Sequence, residues 1–574
     1  MRTKKDIKKL IDVAAGRIEA DLVIRNSKVI DVFNARIVEG DVAIVGSLIA
    51  GIGSYKGKKS FDAKGKYLAP GFIDAHVHIE SSLVDPASFA QLVLPHGTTT
   101  VIIDPHEICN VGGLKGFDYM LKNSEDLELS VFMMVPSCVP STPFENGGAV
   151  LDAKAIGKRI GKKRVLGLGE MMDMVGTIEA QEHVVSKLQV AHKANKIIDG
   201  HGPMLSDLEL NAFGAAGIQT DHESTTAKEL LDRLQRGIYV LLREGSASHD
   251  LKNLLPALNQ SNSRFCLFCT DDRQPFSIIE EGHIDNHLRI AVKEGLDPIE
   301  AIRIATINAS ECYNLRDRGA IAPGRRADLV LLEDLKEFKV TDVFSGGKQF
   351  NPAIKQYLSP IPKSVVTKIN IGEFSIEKLR IPLTKESVRV IEIVENSLIT
   401  NSVTATVKID ENGFYKNDEN VDIIKLAVLE RHKRSGNIGL ALIKGLKLKN
   451  GAIASTIAHD SHNVIVAGDN DEDMAVAIET LIEIGGGIVV IQNKEVIGSL
   501  ALPIGGLMTN KGAPYVKETL EHLHKTVKEK LSVTGASDPF TTLSFMALPV
   551  IPHLKVTDMG LFDVDNNKFV SLEI

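Results

Sequence analysis

Pro70-Gly-Phe-Ile-Asp-Ala-His-Val-His78 sets the architecture of the chain. A short apolar run, opened by Pro-Gly and closed by His76-Val77-His78, reads as a buried strand with two imidazoles at its end. In a strand, residues i and i+2 share a face, so both rings can reach one point. The spacing alone is weak, because a lone His-x-His is more often structural. Its weight comes from the segments that follow.

Seven further runs of the same kind succeed it, separated by longer helix-compatible stretches: 98–103, 129–135, 164–169, 196–199, 217–220, 238–242 and 264–269. Strand–helix alternation argues for a parallel sheet, and eight repeats, counting 71–77, fit a closed (β/α)₈, TIM-like barrel. An open doubly wound sheet is the alternative. The barrel is favoured by where the polar residues fall. Nearly every run ends in His, Asp or Glu, and the C-terminal strand ends of a barrel converge on one mouth.

Outward from the barrel, 21–30 and 40–46 are rich in β-branched residues and divided by Asn, Gly and Asp. They predict a small antiparallel sheet, which Gly319–Leu332 would complete from the other flank. The expected organisation is an α/β chain. Residues 1–68 and 313–374 build a small β-sandwich domain, 69–312 the barrel, and 375–574 a C-terminal α+β domain. With 574 residues, 44% apolar and 24% charged, there is ample material for several cores. A net charge of −8 gives no reason to expect nucleic acid or an anionic membrane as partner. No apolar run approaches the ~20 residues of a membrane helix. The first ten residues carry charges where a signal peptide needs an apolar core. Five scattered cysteines indicate no disulfide framework, so the reducing cytoplasm is the expected compartment.

The strand ends carry the chemistry. Beyond His76 and His78, the fourth run ends at Glu170, the fifth at Asp199-Gly-His201, the sixth at Asp221-His222-Glu223 and the eighth at Thr270-Asp271-Asp272. Two histidines, a carboxylate, two more histidines and an aspartate suit a binuclear metal site, since divalent cations satisfy all of them together.

The first-strand segment Pro70–His78 resembles the signature of the amidohydrolase superfamily. Pro298–Ile302 and Ala305-Thr306 through Gly324-Arg-Arg-Ala-Asp328 match its closing segment. Within that superfamily the chain is similar to the bacterial adenine deaminases, through Asp104-Pro-His-Glu107, Gly167–Met172, Cys269–Arg273 and Ala458–Asn463. The similarity runs the whole length, including the C-terminal block.

The resemblance implies a metal-dependent hydrolase that converts adenine and water to hypoxanthine and ammonia. It places His76 and His78 on the first metal, Glu170 as a bridge where many relatives use a carbamylated lysine, His201 and His222 on the second metal, and Asp271 on the first. Asp272 turns into the loop. Cations of this kind lower the pKa of water from ~15.7 to ~7, and Asp271 would pass a proton to the departing amine. The family favours Mn²⁺ or Fe²⁺, with Zn²⁺ also compatible with the ligand types.

Other residues leave two readings open. His106 or Glu107 would bind the purine edge or protonate N1, or Asp104-Pro-His-Glu is a proline turn. Glu223 is a proton donor or ligand orienter, or a solvated carboxylate. Asp272 and Arg273 are expected against the substrate. Cys266 and Cys269 read as core residues rather than a zinc ribbon. His459-Asp-Ser-His462-Asn463 is another metal site, a loop over the mouth, or a turn before a strand. The leading expectation is adenine as substrate in a homo-oligomer, dimer or higher. The alternatives are hydrolysis of a cyclic amide such as a dihydropyrimidine or hydantoin, favoured by an arginine such as Arg273 at the mouth, and a non-catalytic scaffold.

Overall fold

The computed structural model describes residues 3–246, 248–352, 361–366, 369–394 and 397–574. Residues 353–360 and 367–368 of the segment expected to close the small domain lie outside the described residues.

Eight parallel strands form one sheet in sequence order: β1 (Phe72–Val77), β2 (Thr98–Ile103), β3 (Ser130–Val135), β4 (Val165–Met171), β5 (Ile197–Gly200), β6 (Thr220–Asp221), β7 (Tyr239–Arg243) and β8 (Cys266–Cys269). Each corresponds to one of the eight apolar runs. The sheet curls until β8 meets β1, where the Asp271 N–H donates to the His76 carbonyl at 3.0 Å and the His78 N–H to the Asp271 carbonyl at 3.4 Å. Alternate side chains, among them Ile73, Ala75, Ile102, Met134, Leu241 and Leu267, fill the interior, so the barrel is a packed core rather than a pore. Cys266 and Cys269 are both buried, on opposite faces of β8.

The flanks join in one eight-stranded sheet, in which Leu329–Leu332 pairs with Tyr67–Pro70. It is mixed rather than antiparallel, because Ser60–Asp62 and Tyr67–Pro70 run parallel to Leu22–Asp31. The chain crosses over between 54 and 59 instead of turning back in a hairpin.

The C-terminal block builds a further eight-stranded sheet, with Ile423–Leu429, Val464–Gly468, Ala452–Ser455 and Gly487–Gln492 at its centre. Helix Asp471–Ile484 covers one face and helix Ala513–Lys530 the other. Gly485, at φ 77°, ends the first of these helices in the left-handed conformation that glycine adopts freely.

This block is seated on the barrel mouth. Leu83 and Ile108 of the barrel share one buried cluster with Leu507 and Leu520. Each such side chain, fully buried, contributes about 1.5–3 kcal/mol. Backbone bonds reinforce the contact: the Asp85 N–H donates to the Thr509 carbonyl at 3.0 Å, and the Thr509 N–H to Leu83 at 2.9 Å. No helix among the described residues is long and apolar enough to cross a membrane.

Candidate metal centre and substrate chamber

His76 lies in β1 and His78 immediately beyond it, as the strand period requires. Their Nε2 atoms stand 3.2 Å apart. His78 Nδ1 donates to the Asp104 carbonyl at 2.8 Å, which fixes the tautomer and leaves the Nε2 lone pair facing inward. Asp271, brought alongside by the bonds that close the barrel, puts Oδ1 at 3.0 Å from His78 Nε2 and 3.4 Å from His76 Nε2. It sits at φ 56°, in the left-handed region that Asp tolerates better than most residues and that clusters at functional sites.

Glu170, near the end of β4, joins the two halves. Its Oε1 lies 3.4 Å from His78 Nε2 and 3.8 Å from His76 Nε2, while Oε2 lies 2.9 Å from His201 Nδ1 and 3.5 Å from His222 Nε2. One carboxylate therefore presents an oxygen to each pair of imidazoles. Its backbone N–H donates to Asp104 Oδ2 at 2.9 Å. Gly169 makes that approach possible, because a Cβ there would fall on the Asp104 carboxylate.

His201 and His222 follow β5 and β6, with His201 Nδ1 and His222 Nε2 3.3 Å apart. A buried ion pair holds their bases together. Arg233 Nε donates to Asp221 Oδ2 at 2.5 Å, and Asp221 Oδ1 accepts from the Gly202 and Glu223 N–H groups at 3.2 and 3.0 Å.

The electrostatics match a cation site. Burial pushes the Glu170 carboxyl up, but the imidazoles of His106 and His201 beside its oxygens outweigh it and hold the group well below the usual range. Asp271 behaves alike, with burial opposed by the imidazoles of His76 and His78 beside it and by the Arg243 guanidinium. Glu170 Oε1 is buried yet accepts no hydrogen bond. Imidazole nitrogens facing each other in pairs across a carboxylate with an unsatisfied oxygen are the donor set that divalent cations need. The residues present fit two metal ions.

A chamber adjoins this cluster beneath the C-terminal block, with Glu80, Ser81, Glu107, Asp272, His459 and Phe545 in its walls. Asp272 accepts a hydrogen bond from Ser81 there. His106 bridges cluster and chamber, with Nδ1 3.1 Å from Glu170 Oε1 and Nε2 3.1 Å from Glu107 Oε1.

One expected residue behaves differently. Arg273 is not brought to the cluster: it is 1% exposed, donating to the Glu244 carbonyl at 2.7 Å and Glu281 at 2.8 Å, where the chain turns into helix Pro275–Glu281. The guanidinium that arrives is Arg243, the last residue of β7, with Nη1 at 3.1 Å from Asp271 Oδ2 and in contact with Glu223. Glu223 also lies 3.3 Å from His222 Nε2.

Arg243 was missed in the sequence, although its place at a strand end marks it. Glu80, two residues beyond His78, was missed as well. Its Oε1 accepts from the Ile108 N–H at 3.2 Å, its Oε2 has no partner, and burial raises its carboxyl to about 7.

Comparison with known proteins adds the lineage. The amidohydrolase family matches residues 67–350 and the adenine deaminase C-terminal domain residues 397–568. Over 99% of its length the chain is 49% identical to adenine deaminase 2 of Desulfotalea psychrophila, spanning 100% of that protein. It is 48% identical to the adenine deaminase of Nitratidesulfovibrio vulgaris strain DP4 over 98% of each chain. With the adenine deaminase of Ligilactobacillus salivarius the identity is 45% over 100% of both.

Proposed function

Since the chain belongs to the adenine deaminases of the amidohydrolase family, it hydrolyses adenine to hypoxanthine and ammonia, and we propose that it does so at the rim cluster of the barrel. His76, His78 and Asp271 would hold one divalent cation and His201 and His222 a second, with Glu170 between them. Bound there, Mn²⁺ or Fe²⁺ would supply the Lewis acidity that makes water a nucleophile near neutral pH.

The remaining chemistry falls to side chains. Attack of water on C6 requires loss of a proton beside the cluster, and Asp271 is the carboxylate placed to accept it and return it to the departing amine. Arg243, bonded to both Asp271 and Glu223, fixes the direction of that carboxylate. A proton must also reach N1. Glu80, with an unpartnered oxygen in the chamber wall, can carry one, and the hydroxyl proton lost as the C6 carbonyl forms restores the balance. Glu107 cannot do so readily, because the imidazoles around it keep it ionised. It is suited instead to accept a hydrogen bond from a purine N–H. Ser81 and Asp272 line the same wall.

The observation that carries this reading is the split of the Glu170 oxygens between two pairs of imidazoles. The absence of an arginine from the chamber wall, among the described residues, favours a neutral purine over an acidic cyclic amide. The test is ammonia and hypoxanthine release from adenine by metal-stripped and Mn²⁺-reloaded protein, with dihydrouracil as the competing substrate. Ring opening of dihydrouracil without deamination of adenine would overturn the assignment.

A further inference from the structure

Glu107 belongs to the barrel, yet two of the three imidazoles around it come from the other end of the chain. His459 Nδ1 donates to Glu107 Oε1 at 3.0 Å, and His462 Nε2 donates to Glu107 Oε2. The tautomer of His462 is set locally, because its Nδ1 accepts from the Ala458 N–H at 3.3 Å, leaving the proton on Nε2. All three side chains are more than nine-tenths buried.

The loop that delivers them is pinned from behind. Arg431, 1% exposed, forms no ion pair among the described residues and spends its guanidinium on the carbonyls of His462 and Gly505. Burying an uncompensated cation is costly, so its position serves the loop more than stability. His432 Nε2 donates to the Ser461 carbonyl at 2.7 Å, and Asn463 Nδ2 reaches the Asn146 carbonyl of the barrel at 3.0 Å. The His459 ring stacks on Phe545 at 4.4 Å in the chamber wall.

We infer that His459 and His462 are positioning residues of the active site: the C-terminal block clamps both oxygens of Glu107, fixing the acceptor direction it offers to a purine N–H and walling the chamber opposite the barrel rim. This rests on the adenine deaminase reading of the site. It gives the C-terminal block a role in substrate orientation, so barrel and block work as one enzyme.

The test uses the full-length, metal-loaded chain and the two nitrogens involved. Asn places its amide near the position of Nδ1, and Gln near that of Nε2. H459A and H462A should each lower kcat/KM for adenine by about 10- to 100-fold, the loss of one charge-assisted bond, with metal content unchanged. H459N and H462Q should recover most of that loss, whereas the swapped H459Q and H462N should not. In single-turnover assays, E107A/H459A should be no slower than E107A alone.

Equal recovery by matched and swapped amides, or independent multiplication of the E107A and H459A losses, would overturn the clamp. So would uptake of a third equivalent of Mn²⁺ that H459N abolishes, since the triad would then be a metal site. The amide variants preserve side-chain polarity and cover the case in which the alanine chains fail to fold. Failure of the wild-type chain to release ammonia from adenine would count against the functional reading itself, whereas these outcomes in an active wild type count against the clamp alone.

Discussion

Replacing Arg233 with Met strands a carboxylate beneath the candidate second-metal histidines. Arg233 and Asp221 are both 0% exposed, and they meet at 2.5 Å. Asp221 immediately precedes His222, and its other oxygen binds the N–H of Gly202, the neighbour of His201. Met matches the volume of the arginine stem but leaves the buried Asp221 carboxyl without its partner, which costs about 3–5 kcal/mol. At 1.36 kcal/mol per factor of ten, hydrogen exchange across 197–222 should accelerate by roughly two to four powers of ten. Local exchange read by mass spectrometry suits a chain with several cores, where a single unfolding free energy is poorly defined. The double variant Asp221→Asn/Arg233→Met removes the stranded charge while keeping an acceptor for Gly202 and Glu223. Its exchange should return to within roughly tenfold of wild type. Affinity for the second cation should fall about 10- to 100-fold in the single variant, as when the support of a ligand is lost. Unchanged exchange in Arg233→Met, or a double variant no better than the single, would mean that the ion pair does not hold the bases of His201 and His222.

His76→Ala, Glu170→Ala and Asp271→Ala should each abolish ammonia release while circular dichroism stays close to wild type; surviving activity in any one removes that residue from the proposed site. Gly169→Ala should displace the Asp104 carboxylate that holds the Glu170 backbone, lowering metal content at fixed free Mn²⁺ by about 10- to 100-fold in affinity. Lys555 is buried in strand Leu554–Thr557, where burial lowers its amine to about 7 from an ordinary 10.5. The unfolded chain therefore binds the proton more tightly than the folded one between pH 7 and 10.5, and stability rises with pH across that window. Lys555→Met should flatten this dependence and stabilise the protein near pH 7 by on the order of a few kcal/mol, offset in part by loss of the bond to the Leu398 carbonyl. Denaturation followed by a probe in strand Leu554–Thr557 at pH 7, 8.5 and 10 measures it, and an unchanged slope would count against the buried amine.

The barrel was legible because its strands are buried on both sides and read as short apolar runs. The polar residues at the ends of those runs, His76, His78, Glu170, His201, His222, Glu223, Asp271 and Asp272, converge at the rim. What stayed hidden was hidden for physical reasons. Arg243 and Arg273 each stand at or near a strand end, and only the turn into the helix after β8 sends one of them away. Glu80 looks like an ordinary loop carboxylate until the C-terminal block covers it. The His459–Asn463 segment was visibly rich in ligand types, but nothing local says that its partner is Glu107, more than 350 positions earlier in the chain. Contacts of that length depend on how two folded cores dock, and residue patterns do not encode docking. The parallel pairing in the small sheet is also absent from the residue pattern, because 54–59 carries no mark of a crossover.

Anomalous scattering from crystals of the Mn²⁺-loaded protein tests the centre of this account most directly. Two manganese peaks should appear, one bounded by His76, His78 and Asp271, the other by His201 and His222, with Glu170 between them. A single peak, or manganese bound elsewhere with these six side chains empty, would contradict it.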